Sequence, residues 1–259
     1  MDIKTLCKNI NLPTYSYNMV LKNLKENNNY QNIDLNQLRI NDYDFTQLFE
    51  EINNDKNCFK ILSLQLLCAV DTYKYYQEKQ ISDKIYFDTM KCFTRFINEC
   101  KDITNIEAFD RHWWVARQLN MKLFRIGELE YEILKNAISI HIPSDANLSL
   151  TNISLLEAKE FFKKYYPDTK DFPYICSSWL LGKELKDYLP KDSKILYFQS
   201  FFKIDSYYEN VNDYLLWVFK CKNTHIDYKM LKEATSLQKA LKKHLLEGKT
   251  LTIGNGKIC

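Results

Sequence analysis

His141, Glu130 and the run Cys176-Ser177-Ser178 are the side chains best suited to moving a proton or attacking an electrophile in this 259-residue chain. Histidine titrates near neutrality, so His141 can act as a general base; alone in its strand, it can equally be a half-buried imidazole with its bonds satisfied. Glu128, Glu130 and Glu132 alternate with Leu129, Tyr131 and Ile133, which puts three carboxylates on one strand face. Such a face is ordinarily solvated. Glu130, at its centre and opposite the next strand, is the one suited to act as a base. A cysteine or serine nucleophile at 176–178 needs a base beside it. No Gly-x-Ser-x-Gly elbow surrounds the run. A histidine from a neighbouring strand, such as His141, would have to supply the base; otherwise these are small side chains packing a strand. Gly254-Asn255-Gly256-Lys257 lacks the spacing of a phosphate loop.

The elements that position these residues follow from glycine, proline and periodicity. All five glycines (127, 182, 248, 254, 256) lie after residue 126, and Pro13 is the only proline of the first half. A segment free of both breakers can be helical throughout. Phe59, Leu62, Leu66, Ala69, Tyr73 and Tyr76 recur at helical spacing, as do Tyr86, Met90, Phe93 and Ile97 after a Ser82 cap. Asn27-Asn28-Asn29 and Asn53-Asn54-Asp55 read as connections. Residues 106–120, with Arg111, His112, Trp113, Trp114 and Arg117, read as a last helix packing its aromatics between domains.

The second half changes period. Phe124 and Ile126 have the opposite parity to Leu129, Tyr131 and Ile133, which predicts a bulge at Gly127. Lys135-Asn136 turns the chain into a strand with Ile138, Ile140 and Ile142 on one face and Ser139 and His141 on the other. A helix over roughly 150–165 comes next, with Ser149 placed to cap it. A strand at 174–181, a short helix to Leu189, and strands at 194–204 and 213–220 follow. Thr235-x-x-Gln238 has the form of a capping box, Gly248 suits the far end of that helix, and Leu251 to Ile253 reads as a short final strand.

Composition narrows the function classes. The chain is 46% apolar, enough for substantial cores, and its 36 basic and 33 acidic side chains leave a net charge of only +3. No basic cluster marks a nucleic-acid surface, and no apolar run approaches the ~18 residues of a membrane span. Met1-Asp2-Ile3-Lys4 has no signal-peptide core. The eight cysteines form no Cys-x-x-Cys pair and the histidine spacing fits no zinc pattern, so reduced thiols in a cytoplasm are the expectation.

The block 174–202, together with Leu123–Glu132, Ile140-His141-Ile142-Pro143 and Thr235–Ala240, resembles the GNAT-like C-terminal domain of bacterial N-acyltransferases. These enzymes pair that domain with a helical N-terminal one. The resemblance covers most of 113–259. It implies an α+β chain: a helical domain over 1–121, then a GNAT-like α/β domain over 122–259 with a mixed, mostly antiparallel sheet. It also implies transfer of an acyl group from an acyl-coenzyme A to a small-molecule amine acceptor. The thioester would lie where two central strands part, with Glu130 or His141 as the base, Tyr188 as the acid, and Ser178 facing the thioester. Ser149, Cys176 and Ser177 would touch the donor. The sequence departs from the family at the pyrophosphate loop. Its stretch Pro143–Thr151 has no glycine and carries Asp145, which repels an anion. That departure favours the alternative, a non-catalytic binding protein on a degenerate GNAT-like fold.

Overall fold

A computed structural model describes residues 1–26, 30 and 32–258; the expected connection at Asn27–Asn29 lies outside the described residues. The first half is helical: α1 (Ile3–Asn9), α2 (Thr14–Glu26), α3 (Thr46–Glu51), α4 (Phe59–Glu78), α5 (Asp83–Met90), α6 (Cys92–Thr104) and α7 (Ala116–Leu119). The central helix is α4, buried around most of its circumference. The Asp55 carboxylate accepts from the backbone N–H groups of Asn57, Phe59 and Lys60 (3.0, 3.1 and 2.9 Å) and so satisfies donors at the start of α4. Ser82 caps α5 by accepting from the Ile85 N–H. The stretch expected as one last helix is broken into a 3₁₀ turn at His112–Trp114 and the short α7.

The second half runs β1 (Leu123–Ile126), β2 (Leu129–Ile133), β3 (Ile138–His141), α8 (Thr151–Tyr165), β4 (Tyr174–Ser178), α9 (Leu185–Tyr188), α10 (Lys194–Gln199), β5 (Phe202–Glu209), α11 (Val211–Trp217), α12 (Ser236–Leu246) and β6 (Thr252–Ile258). The described strands form one six-stranded sheet in the order β1-β2-β3-β4-β6-β5. Only β3 and β4 pair in parallel; every other neighbour is antiparallel. The architecture is the expected helical region followed by a GNAT-like domain with a mixed, mostly antiparallel sheet. One apolar core runs from Leu6 on α1 to Phe202 on β5, so the change from helix to sheet is not a break in packing. A second cluster, including Leu185, Tyr214, Leu215, Leu241 and Leu245, joins α9, α11 and α12.

Several local expectations are corrected. Gly127 is the first residue of a two-residue turn joining β1 to β2, at φ +60°, rather than a bulge in one strand. Glycine at positive φ in that position suits a tight hairpin. A side chain there would also meet Ser154 Cβ at 3.2 Å. Ser154 on α8 docks the hairpin: its hydroxyl donates to the Ile126 carbonyl (2.5 Å) and accepts from the Leu129 N–H (3.2 Å). The strand expected at 174–181 ends at Ser178, whose hydroxyl accepts from the Leu180 N–H and starts a 3₁₀ turn.

Of the strands expected at 194–204 and 213–220, the first begins as α10 and becomes strand only at Phe202, and the second is not a strand: its residues belong to α11 and the turn after it. Ser193 caps α10, and Asn210 caps α11 by accepting from Asn212 and Asp213. An apolar run has no period that separates a buried strand from a buried helix, so the capping side chains decide. The α12 expectation holds in detail, with the Thr235–Gln238 capping box formed and Gly248 at φ +73° just beyond the helix.

Candidate active site

The central parallel pair opens. Strands β3 and β4 share register only at Ile138–Tyr174 and Ser139–Ile175. Beyond that point β3 stays paired with β2 on its far edge and β4 with β6 on its far edge, while the two edges facing each other are no longer paired. The backbone groups that would have continued the β3–β4 ladder face a gap. A cleft of about 590 Å³ lies there, lined by Ile140, His141 and Ile142 from β3 and beyond, and by Ser177, Ser178 and Trp179 from the β4 end. Side chains of α6, of the turn before α7, of the loop after β3, of α10 and of α11 form the rest of its wall. All four tryptophans of the chain, Trp113, Trp114, Trp179 and Trp217, line it.

The carboxylate face of β2 is not solvated. Glu130 and Glu132 are 3% and 7% exposed, because the helical region lies over them and supplies cations. Arg95 of α6 meets Glu130 at 2.5 Å. Arg117 of α7 meets Glu132 at 3.2 Å. Glu99 of α6, 5% exposed, accepts from Arg111 and from the Ser144 hydroxyl. A chain of buried charge therefore ties α6 to the loop after β3. Each charge in it has a partner, the condition under which burial is tolerated. Burial lowers the pKa of Arg95, but Glu130 and Glu99 outweigh it and hold the guanidinium more firmly protonated than usual.

His141 is set by a second pair. Its Nε2 lies 2.8 Å from Glu132 Oε2, and its ring stands edge-on to Trp114 at 5.2 Å. Arg117 in turn stacks over Trp114 at 4.2 Å. Burial raises the Glu132 pKa; the hydrogen bond from His141 and the charges of His141 and Arg117 overcome that and leave it below the usual carboxylate value. An ionised Glu132 requires a proton on Nε2, which leaves the Nδ1 lone pair as the basic site of the ring. In the β2–β3 register Glu130 stands directly across from His141 and Glu132 across from Ser139. The partner of the histidine is thus its diagonal neighbour, a reach that long side chains manage in an antiparallel pair. Periodicity and register both mark Glu130, which stands directly across from His141; only the tertiary contact that commits Glu130 to Arg95 leaves the histidine to Glu132.

Models of two families match the chain: an N-acyltransferase N-terminal domain over residues 1–121 and a GNAT-like C-terminal domain over residues 117–258. The chain belongs to the GNAT-like C-terminal domain family. No curated protein matches it. Among solved structures it is similar to an acyltransferase in complex with decanoyl-CoA, with a TM-score of 0.79 at 17% identity, covering 98% of this chain and 86% of that one. It is also similar to an acyltransferase in complex with decanoyl-CoA and teicoplanin, with a TM-score of 0.77 at 18% identity, covering 99% and 87%. At that identity the likeness is one of fold.

Within this GNAT-like chain the sequence-expected residues divide. Glu130, His141, Ser177 and Ser178 meet at the cleft. Cys176 lies in the apolar core and is not among the cleft-lining residues; burial raises its thiol pKa, opposite to what a nucleophile needs. Tyr188 packs in the second apolar cluster, its hydroxyl 2.5 Å from His244 Nδ1, and does not line the cleft. No tyrosine is among the cleft-lining residues. Ser149 is exposed and caps nothing. Asn147 caps the 3₁₀ turn before α8, and Ser149 lies in a separate surface groove with Lys191 and Lys194. Sequence reasoning missed Arg95, Glu99 and Glu132; each acts through a neighbour that only the packed helices bring near.

Proposed function

We propose that the protein transfers an acyl group from an acyl-coenzyme A thioester to an amine, in the cleft between β3 and β4. The observation that carries this reading is the parting of the two strands beside a histidine already oriented by a carboxylate. Unpaired backbone groups along such a gap can bond an extended pantetheine arm as they would a strand. The amine must be neutral to attack. His141 takes its proton at Nδ1, and Glu132 stabilises the imidazolium that results. The new N–C bond forms as the C–S bond breaks, and the His141 imidazolium returns the proton taken from the nitrogen to the departing sulfur, which leaves as the thiol. Ser177, exposed at the mouth with its hydroxyl 3.4 Å from that of Tyr208, can accept from the tyrosine and donate to that sulfur. Glu130, committed to Arg95, positions the β2–β3 face rather than serving as the base.

The strand gap supports a place for the pantetheine portion of coenzyme A; the usual pyrophosphate cradle is altered. The Asn147 N–H already bonds Glu128 Oε2 at 2.8 Å, and the Ser149 N–H bonds the Asn147 side chain. Asp145 pairs with Arg125 at 2.9 Å, and Glu128 lies 3.7 Å from the same guanidinium. A pyrophosphate at this loop would compete with the Glu128 carboxylate for an amide. This favours a second reading, a binding protein that has lost its donor. Titration of the protein with decanoyl-CoA and with coenzyme A, followed by melting temperature, separates the two. Ligand at 100 times its Kd stabilises by about 2.7 kcal/mol. A rise with decanoyl-CoA supports the transferase reading. No rise at millimolar thioester leaves only the second.

A further inference from the structure

The cleft holds one carboxylate without a partner. Glu130, the other acid that lines it, is paired with Arg95. Asp213 projects from the first turn of α11, on the helix face that also presents Leu216 and Trp217 to the cleft. Among the described residues its side chain makes no ion pair or hydrogen bond; the bonds of that turn run from its backbone N–H to Asn210. The cations nearby are committed or at the far end of the helix. Arg111 is held by Glu99 and stacks on Trp217 at 4.9 Å; Lys220 also lines the cleft, past the C-terminal end of α11, with its ammonium 5.8 Å from the Trp217 ring and, among the described residues, no ion pair with Asp213. Burial raises the Asp213 pKa, and no neighbouring cation acts against it.

A half-buried carboxylate without a counter-charge is costly to keep, and it is satisfied when a cation enters. Asparagine at this position would lack the charge while keeping the shape, and helix capping does not require the acid, since Asn210 already supplies the cap. The aromatic wall adds to the same preference, because tryptophan faces attract ammonium groups.

We infer that Asp213 binds the ammonium form of the acceptor, so that the acceptor class is a cationic primary amine carrying apolar or aromatic bulk. The inference rests on the transferase reading and names the acceptor side of the same cleft. Asp213 holds the amine as R–NH3+; His141 then removes one proton to give the neutral nucleophile, and the positive charge passes to the imidazole.

Tryptophan fluorescence reads the cleft directly, since every tryptophan of the chain lines it. The wild-type protein is titrated at pH 7.5 with benzylamine, which is protonated, and with benzyl alcohol, its neutral counterpart. The same is done with Asp213→Asn, its folding checked by urea melt. A charge-assisted contact in a partly desolvated site predicts benzylamine binding about 10-fold or more tighter than benzyl alcohol, and loss of that preference in the variant. Equal affinities in the wild type, or a preference that survives in Asp213→Asn, overturn the inference. The wild-type comparison does not depend on how the variant folds. Decanoyl-CoA, titrated by the same signal, is expected to bind both proteins alike. If decanoyl-CoA fails to bind while the benzylamine preference stands, the transferase reading falls and the amine site remains. If decanoyl-CoA binds and no amine preference is seen, the transferase reading stands and Asp213 is not its acceptor anchor.

Discussion

Replacing Glu132 with glutamine tests the geometry around His141 with almost no change of shape. The wild-type carboxylate makes two charge-assisted contacts, 2.8 Å to His141 and 3.2 Å to Arg117, and is 7% exposed. Hydrogen bonds to charged groups contribute about 1.5–3 kcal/mol each, and Arg117 would be left without its counter-ion. Glutamine keeps one hydrogen bond to either partner, so the expected loss is about 2–3 kcal/mol at pH 7. For a chain of this size that lowers the melting temperature by roughly 4–12 °C. The pH dependence has a definite sign. Glu132 has a lowered pKa in the folded protein, against about 4.3 unfolded. Its stabilising contribution is therefore complete above the unfolded value and disappears as pH falls through the folded one. Wild type should converge on Glu132→Gln as pH drops below about 4. Nitrogen-15 NMR of the imidazole supplies the second readout. In the wild type the neutral imidazole carries its proton on Nε2, facing Glu132; in the variant, the amide can donate to that nitrogen and move the proton to Nδ1. Catalysis would fall by ~10² or more, because the basic site is turned away. Equal stability of the two proteins at pH 7, or an unchanged tautomer, would refute the pairing and the assignment of Nδ1 as the base.

Other expectations follow from single features of the fold. Gly127→Val forces a β-branched residue to φ +60° and against Ser154, and should cost about 1–3 kcal/mol in urea melts; parental stability would contradict the tight-turn geometry. Glu128→Gln releases the Asn147 amide from a carboxylate and weakens the hold on Arg125, so coenzyme A should bind more tightly by calorimetry; weaker binding would place the pyrophosphate elsewhere. Asn210→Ala removes the cap of α11 and should destabilise by about 1 kcal/mol. Tyr188→Phe should leave acyl transfer unchanged, since that hydroxyl is bound to His244 outside the cleft; a large fall in kcat would restore it as an acid.

Much of the fold is legible in the sequence because its signals are local. The absence of glycine and near-absence of proline before residue 127, the alternation of Leu129, Tyr131 and Ile133, and the Thr235–Gln238 box are each informative by themselves. The apolar run Ile195–Phe202 and the segment after Asn210 carry no such local decision, and there the capping serine and asparagine were the overlooked signals. The candidate site is legible in part. His141 stands where strand parity puts it, but the meaning of its neighbours depends on tertiary contact. A carboxylate face that reads as solvated becomes an interior once Arg95 and Arg117 arrive from helices more than ten residues away in sequence. Asp213 gains its significance only because α11 is a helix with one face on the cleft.

Acyl transfer itself is the most direct test. The protein and its His141→Ala variant are incubated with decanoyl-CoA and benzylamine, with product amide measured by mass spectrometry and free thiol by colour. The expected result is equimolar decanoyl-benzylamide and coenzyme A from the wild type, and at least ~10²-fold slower formation by a variant that binds decanoyl-CoA equally well. Equal turnover by the two proteins, or thioester bound in the cleft with no amide formed from any primary amine tried, would contradict the assignment of His141 as the base of an acyltransferase.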